Sequence, residues 1–213
     1  RSGALPPEQG KPPLIVMTLQ KLDISGSDIF YALNGIRTVD GGATWTVPEE
    51  HGSFSRAPFT WRNEKALEIT VCDFWPRWHA RSGKLIGIGH TVVYENNRVK
   101  PVRPRGIAYA IYNPNQHNWS DWRTVELPDE SRFENAGAGC AQRYDLPNGD
   151  LLVPFYFKEP KGTQYSTTVM RARFENEEIR YLEHGSELTV PVKRGLYEPS
   201  IAKFGDRFYL TMR

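Results

Sequence analysis

Apolar residues gather along this chain in short runs, each bounded by Gly, Pro, Asn or Asp. The runs are PLIVMTLQ (13–20), DIFYAL (28–33), ALEITVC (66–72), KLIGIGHTVVY (84–94), GIAYAIY (106–112), GDLLVPFYF (149–157), STTVMRARF (166–174) and RFYLTMR (207–213). Each has the length of a strand core, and helical periodicity is scarce. The pattern predicts an all-β chain whose strands are joined mainly by tight hairpins.

A repeat underlies the runs. Residues 68–94, 139–157 and 197–213 each read as a strand, a turn carrying a glycine followed by Lys or Asp, and an apolar strand. The marker glycines Gly83, Gly149 and Gly205 lie 66 and 56 positions apart. With the strands between them, these units predict four-stranded antiparallel blades of a β-propeller over roughly 40–60 residues each. Approximate blades fall at 1–50, 66–128 and 136–190, with the start of the next at 196–213. That is about 3.5 blades of a six-bladed ring, so 1–213 reads as a partial propeller whose remaining blades are needed to close it. A plain β-sandwich is the alternative.

Composition narrows the partners. Among 213 residues, 27 basic side chains stand against 25 acidic ones, which leaves no electrostatic footprint for nucleic acid. No apolar run approaches the roughly 20 residues of a membrane span. Aromatic residues make up 12%, beside 16 prolines and 18 glycines, the balance of a turn-rich β chain. The only two cysteines, Cys72 and Cys140, sit in strand-like runs and read as buried free thiols. The five histidines show no paired metal-ligand spacing, and no Gly-rich phosphate loop is present, so neither a metal nor a cofactor is expected. The chain opens on Arg1 rather than Met, which reads as a processed or trimmed piece. A secreted or periplasmic setting is the expectation.

The segment TVDGGATW (38–45) adds a motif. An acid able to accept backbone N–H bonds, two glycines tolerant of positive φ and a tryptophan to pack against the sheet make a hairpin corner. It resembles the Asp box of the sialidase-type (BNR-repeat) propellers, through Thr38, Asp40, Gly42 and Trp45. In that family the box lies between outer strands, which makes Asp40 structural rather than catalytic. NPNQHNWSDW (113–122) reads as a degenerate counterpart.

The resemblance extends along nearly the whole chain and is strongest at YEPSIAKFGDRFYLTMR (197–213). It implies an exo-sialidase-like glycoside hydrolase, with a glycan or glycoconjugate as substrate. Glu198 would open the innermost strand of the fourth blade, and Arg213, 15 positions later, would return on the second strand. A hairpin between them brings both to one end of the central funnel. Arg1, then PLIVMTLQ, then Asp23 or Asp28, then the Asp box reproduce the order at the family's start.

Implied roles follow. A sialic acid carries a carboxylate on its anomeric carbon, which would repel a carboxylate nucleophile. The family uses a Tyr activated by a Glu instead. Glu198 would be that Glu. Arg1 and Arg213 would be two of three arginines gripping the substrate carboxylate. Asp23 or Asp28 would serve as acid and then base. The nucleophilic Tyr and the third Arg would belong to later blades.

Further polar residues on inner strands are candidates to touch ligand: Asp73, His79, His90, Gln142 and Arg143. Competing functions are a non-catalytic carbohydrate-binding propeller and a related propeller hydrolase acting on a different sugar. The run ENEE (175–178) reads as a solvated hairpin turn.

Overall fold

A computed structural model describes residues 1–213. The chain is all-β with antiparallel sheets, apart from one 3-10 turn at Gly52–Phe54. Four sheets follow one another along the sequence. The first holds β1 (Ser2–Ala4), β2 (Ile15–Leu22), β3 (Phe30–Thr38) and β4 (Glu49–Glu50), in that order across the sheet.

The second sheet is larger. Its strands are β5 (Ala57–Trp61), β6 (Glu64–His79), β7 (Lys84–Glu95), β8 (Arg98–Val99), β9 (Ile107–Asn113), β10 (Asn118–Trp119) and β11 (Arg123–Thr124). They run β5-β6-β7-β9-β10, with β8 on β7 and β11 on β9. The third holds β12 (Ala136–Gly137), β13 (Tyr144–Asp145), β14 (Asp150–Phe157), β15 (Ser166–Glu175) and β16 (Glu178–His184). The fourth is the hairpin β17 (Ser200–Phe204) and β18 (Arg207–Thr211).

Local sequence explains the hairpins. Gly83, Gly149 and Gly205 all adopt positive φ, 65°, 88° and 57°, at the turns into β7, β14 and β18. Asn176 and Glu177 do the same inside ENEE, joining β15 to β16. No helix is long and apolar enough to cross a membrane.

The sheets stack through two apolar layers. Val16, Leu33, Phe54, Phe74, Leu85 and Trp119 fill one, between the first and second sheets. Ile86, Ile107, Phe133, Phe155, Phe157 and Met170 fill the other, between the second and third. Each such side chain contributes about 1.5–3 kcal/mol when fully buried. Gly87 makes room for the first layer: a Cβ there would lie 2.1 Å from the Phe74 ring.

One irregularity matters for the site. The β6–β7 ladder pairs Cys72 with His90, slips, and resumes at Trp75 with Ile88. The slip is a bulge that re-aims the residues within it, Asp73 and Phe74. Phe74 turns into the core and Asp73 turns out, only a quarter exposed.

Candidate functional site

The corner at Thr38–Trp45, between β3 and β4, is closed by its own side chains. Asp40 Oδ1 accepts from the Thr38 hydroxyl at 2.7 Å and the Thr44 amide at 3.0 Å, and Oδ2 accepts from the Thr44 hydroxyl. The Gly42 amide donates to Thr38 Oγ1 at 3.0 Å. These bonds, those from Thr44 above all, hold the Asp40 carboxyl far below the usual carboxylate range. Trp45 does not pack into the sheet as its residue type suggests. It stays partly exposed, and its indole N–H donates to the Gly42 carbonyl at 3.2 Å. In the segment 113–122, by contrast, Trp119 is buried edge-on against Phe74. The Asn113 side chain takes the amides of Asn115 and Gln116.

Glu198 and Arg213 meet. The amides of Tyr197 and Arg213 each donate to the other's carbonyl, extending the β17–β18 ladder past its last paired strand residues. Arg213 lies over the Tyr197 ring at 4.8 Å and donates Nη2 to Glu198 Oε1 at 2.7 Å. Burial raises the Glu198 carboxyl above its ordinary value, and the charges of Asp73 and Asp28 add to this against Arg213 and Arg194. Carboxyl groups more than 100 residues apart in sequence therefore share one electrostatic environment.

A second group abuts the first. Arg1 donates Nη2 to Cys140 Sγ at 3.1 Å and to Asp73 Oδ1 at 3.5 Å, and its guanidinium lies over Trp75 at 5.2 Å. His90 Nε2 is 3.9 Å from Asp73 Oδ2. Burial, then the charges of Arg105 and Arg103, push His90 well below the usual histidine range. Burial pushes the Cys140 thiol up to about 12, with Asp73 adding. This thiol is not a thiolate nucleophile.

Backbone strain marks the same place. Asp28, Asp73, Cys140 and Glu198 all have positive φ, between 51° and 61°. Asp28, in the β2–β3 connection, and Cys140 are turn residues, as are Arg62–Asn63 and Asn96–Asn97, whereas Asp73 sits within β6 and Glu198 just before β17. Left-handed residues outside hairpins cost free energy and concentrate where geometry serves function. Asp28 belongs to this group, because its charge bears on Glu198, Cys72 and Arg105. Asp23 does not. It accepts the Ser25 amide at 2.9 Å and reaches Tyr31 and Asn97, organising the loop.

Two other residues expected to face ligand are buried in structural roles. His79 lies at the far end of β6, six residues and roughly 20 Å from Asp73. It is fully buried, with Nδ1 on Ser82 at 2.7 Å and Nε2 on the Gly149 carbonyl at 2.8 Å. Nε2 ties the second sheet to the third, and Nδ1 is used within the β6–β7 turn. Arg143 is buried too, bonded to Asp145 and to the carbonyls of Ile86 and Arg77. Gln142 is half-buried and borders a narrow crevice with Trp75, Arg77 and Ile88. Its carbonyl accepts the Ile201 amide, linking the third sheet to β17.

Sequence reasoning missed several members: Cys140 beside Arg1, and Arg105, Tyr156, Tyr165 and Arg194 behind Glu198. Nothing in linear spacing signals them, because sheet stacking brings them together. Cys72, Asp73 and His90 also bring donor atoms within 4.8 Å of one another, an arrangement with no counterpart in histidine spacing. Arg1 on Asp73 and Arg105 near Cys72 make this trio a poor cation cage, and it reads as polar lining. A groove of about 890 Å³ between β11 and β16 is lined by Tyr109, Trp122, Arg123 and Tyr181 and holds none of these groups.

No family profile matches the sequence, and no curated protein matches it either. Among solved structures, the Hadza microbial sialidase Hz136 superposes with a TM-score of 0.64 at 13% identity. The fold is sialidase-like. The likeness covers 94% of this chain and 39% of that one, so the chain spans about two fifths of the sialidase's length. At this identity the likeness concerns backbone arrangement alone.

Proposed function

We propose that the four sheets are blades of a sialidase-like β-propeller, with the corner at Thr38–Trp45 as its Asp box. The chain would contribute part of a glycoside hydrolase that releases a terminal acidic sugar from glycans. The observation that carries this reading is the 2.7 Å contact between Glu198 and Arg213, set among Arg1, Asp73 and Asp28.

In the proposed mechanism Arg213 and Arg1 orient the substrate carboxylate, where a guanidinium gives direction as well as charge. Glu198, raised by burial, is suited to take the proton of a tyrosine nucleophile and return it. Asp28 is favoured over Asp23 as the group that protonates the leaving oxygen, because only Asp28 shares the field of Glu198. The tyrosine and a third arginine would come from blades beyond these. A glycan, with no metal or other cofactor, is the partner this chemistry requires, and an extracytoplasmic setting would suit it.

Turnover of a fluorogenic sialoside by the full-length protein tests the reading. Glu198→Ala is expected to lower kcat by roughly 10²–10⁴, the range for loss of a general base. Unchanged turnover would end the assignment. A related hydrolase acting on a different sugar is the second reading, favoured by the Asp73, His90 and Cys140 lining, which adds polar groups beside the arginines.

A further inference from the structure

Arg105 is the unexplained cation of this molecule. Its backbone is pinned between sheets: the Arg105 amide donates to the Glu134 carbonyl at 2.8 Å, and the Ala136 amide donates back at 3.2 Å. The side chain therefore enters the junction of the second and third sheets. Gly137 makes room for it, since a Cβ there would lie 2.5 Å from Arg105 Cδ. The residue is 7% exposed, yet its buried Nε and Nη1 have no acceptor within the chain. No carboxylate lies within ion-pair distance of it.

What surrounds it is mainly aromatic and basic, with the Cys72 thiol and the Asp28 carboxylate as the acidic groups whose fields also reach it. The guanidinium lies 5.0 Å from the Tyr156 ring centroid and 5.7 Å from that of Tyr165. Lys158 and Arg194 lie over Tyr165 at 5.6 and 5.9 Å, nearer the surface. Arg103 stands alongside, and its buried Nε also lacks an acceptor. Tyr197, which carries Arg213, is 6.3 Å from Tyr156. The four cations gather around one tyrosine, with Arg105 deepest.

Buried donors aimed at no acceptor, beneath a rim of like charge, are complementary to an oxyanion. We propose that Arg105 is the floor of an anion subsite, walled by Tyr156 and Tyr165, that takes a carboxylate, sulfate or phosphate group. The subsite lies behind the Glu198–Arg213 contact, shares none of its hydrogen bonds and does not depend on the glycosidase reading.

Inorganic sulfate, titrated into the protein by calorimetry, is the probe. Saturable binding is expected. Arg105→Gln should weaken it at least about tenfold, the loss of one charge-assisted contact, while Arg213→Ala should leave it within about twofold. Arg105→Lys, which keeps the charge without the planar fork, should weaken it by less. Undetectable sulfate binding, or binding indifferent to Arg105→Gln, overturns the subsite. So does loss of the folded state in both Arg105 variants, which would make Arg105 a structural cation. Failure of sialoside turnover with Arg105-dependent sulfate binding intact would sink the proposed function and leave the subsite standing.

Discussion

Arg143 and Arg105 occupy the same seam, between the second and third sheets, and are almost equally buried, 3% and 7% exposed. One is saturated. Arg143 makes four hydrogen bonds, two to Asp145 and one each to the carbonyls of Ile86 and Arg77. Arg105 makes none through its buried Nε and Nη1. Burial lowers the Arg143 guanidinium's affinity for its proton against the pull of Asp145. Desolvation opposes Arg105 in the same way, but nearby tyrosines and Asp28 raise it overall. Depth alone therefore does not separate a strut from a site. The hydrogen-bond inventory does, because a buried cation whose every nitrogen is already bonded has little left to offer a ligand.

The sharpest way to break this contrast is Arg143→Met. Asp145 and two carbonyls would lose their donor, and breaking a buried pair costs about 3–5 kcal/mol. Chemical denaturation should show that loss, and a variant within about 1 kcal/mol of wild type would show that saturation is no sign of a strut. His79→Phe is the next step down. It leaves the Gly149 carbonyl without its imidazole partner and Ser82 with only the residue-79 carbonyl, while keeping the edge contact to Phe174, so about 1–3 kcal/mol is expected. Turnover in that variant, measured well below its melting temperature, should match wild type. A selective loss of activity would return His79 to the ligand-facing residues.

These two residues also show where sequence is informative. Strands and hairpins were legible because short apolar runs and marker glycines act locally, and the three glycines do adopt positive φ. Glu198 and Arg213 could be paired by eye because only a hairpin lies between them. Arg105 could not, since its neighbours Tyr156, Tyr165 and Arg194 lie 51 to 89 positions away. His79 and Arg143 misled for a related reason: a polar residue on an inner strand can be satisfied by carbonyls of the adjoining sheet, and sequence does not show those carbonyls. Trp45 misled because its indole N–H found a partner at the surface. The positive φ at Asp28 and Asp73 has only the weak signature that aspartate tolerates the left-handed region, and at Cys140 and Glu198 it has none.

Arg213 stands between the two extremes, with one bond to Glu198 and a side chain 64% exposed. Its effect should be smaller and screened. Burial sets the Glu198 midpoint above the ordinary glutamate value, and Arg213 opposes that rise. In Arg213→Met the midpoint, followed by carboxyl carbon chemical shift, should therefore move further up. A carboxyl raised in the folded state favours folding most below its unfolded value, and that contribution fades as pH climbs through the folded midpoint. The variant should extend this fading to higher pH. Added salt should shrink the difference between the two proteins, because the exposed guanidinium is reached by counterions. A midpoint that falls in Arg213→Met, or a difference indifferent to salt, would mean that some group other than Arg213 sets the charge of Glu198.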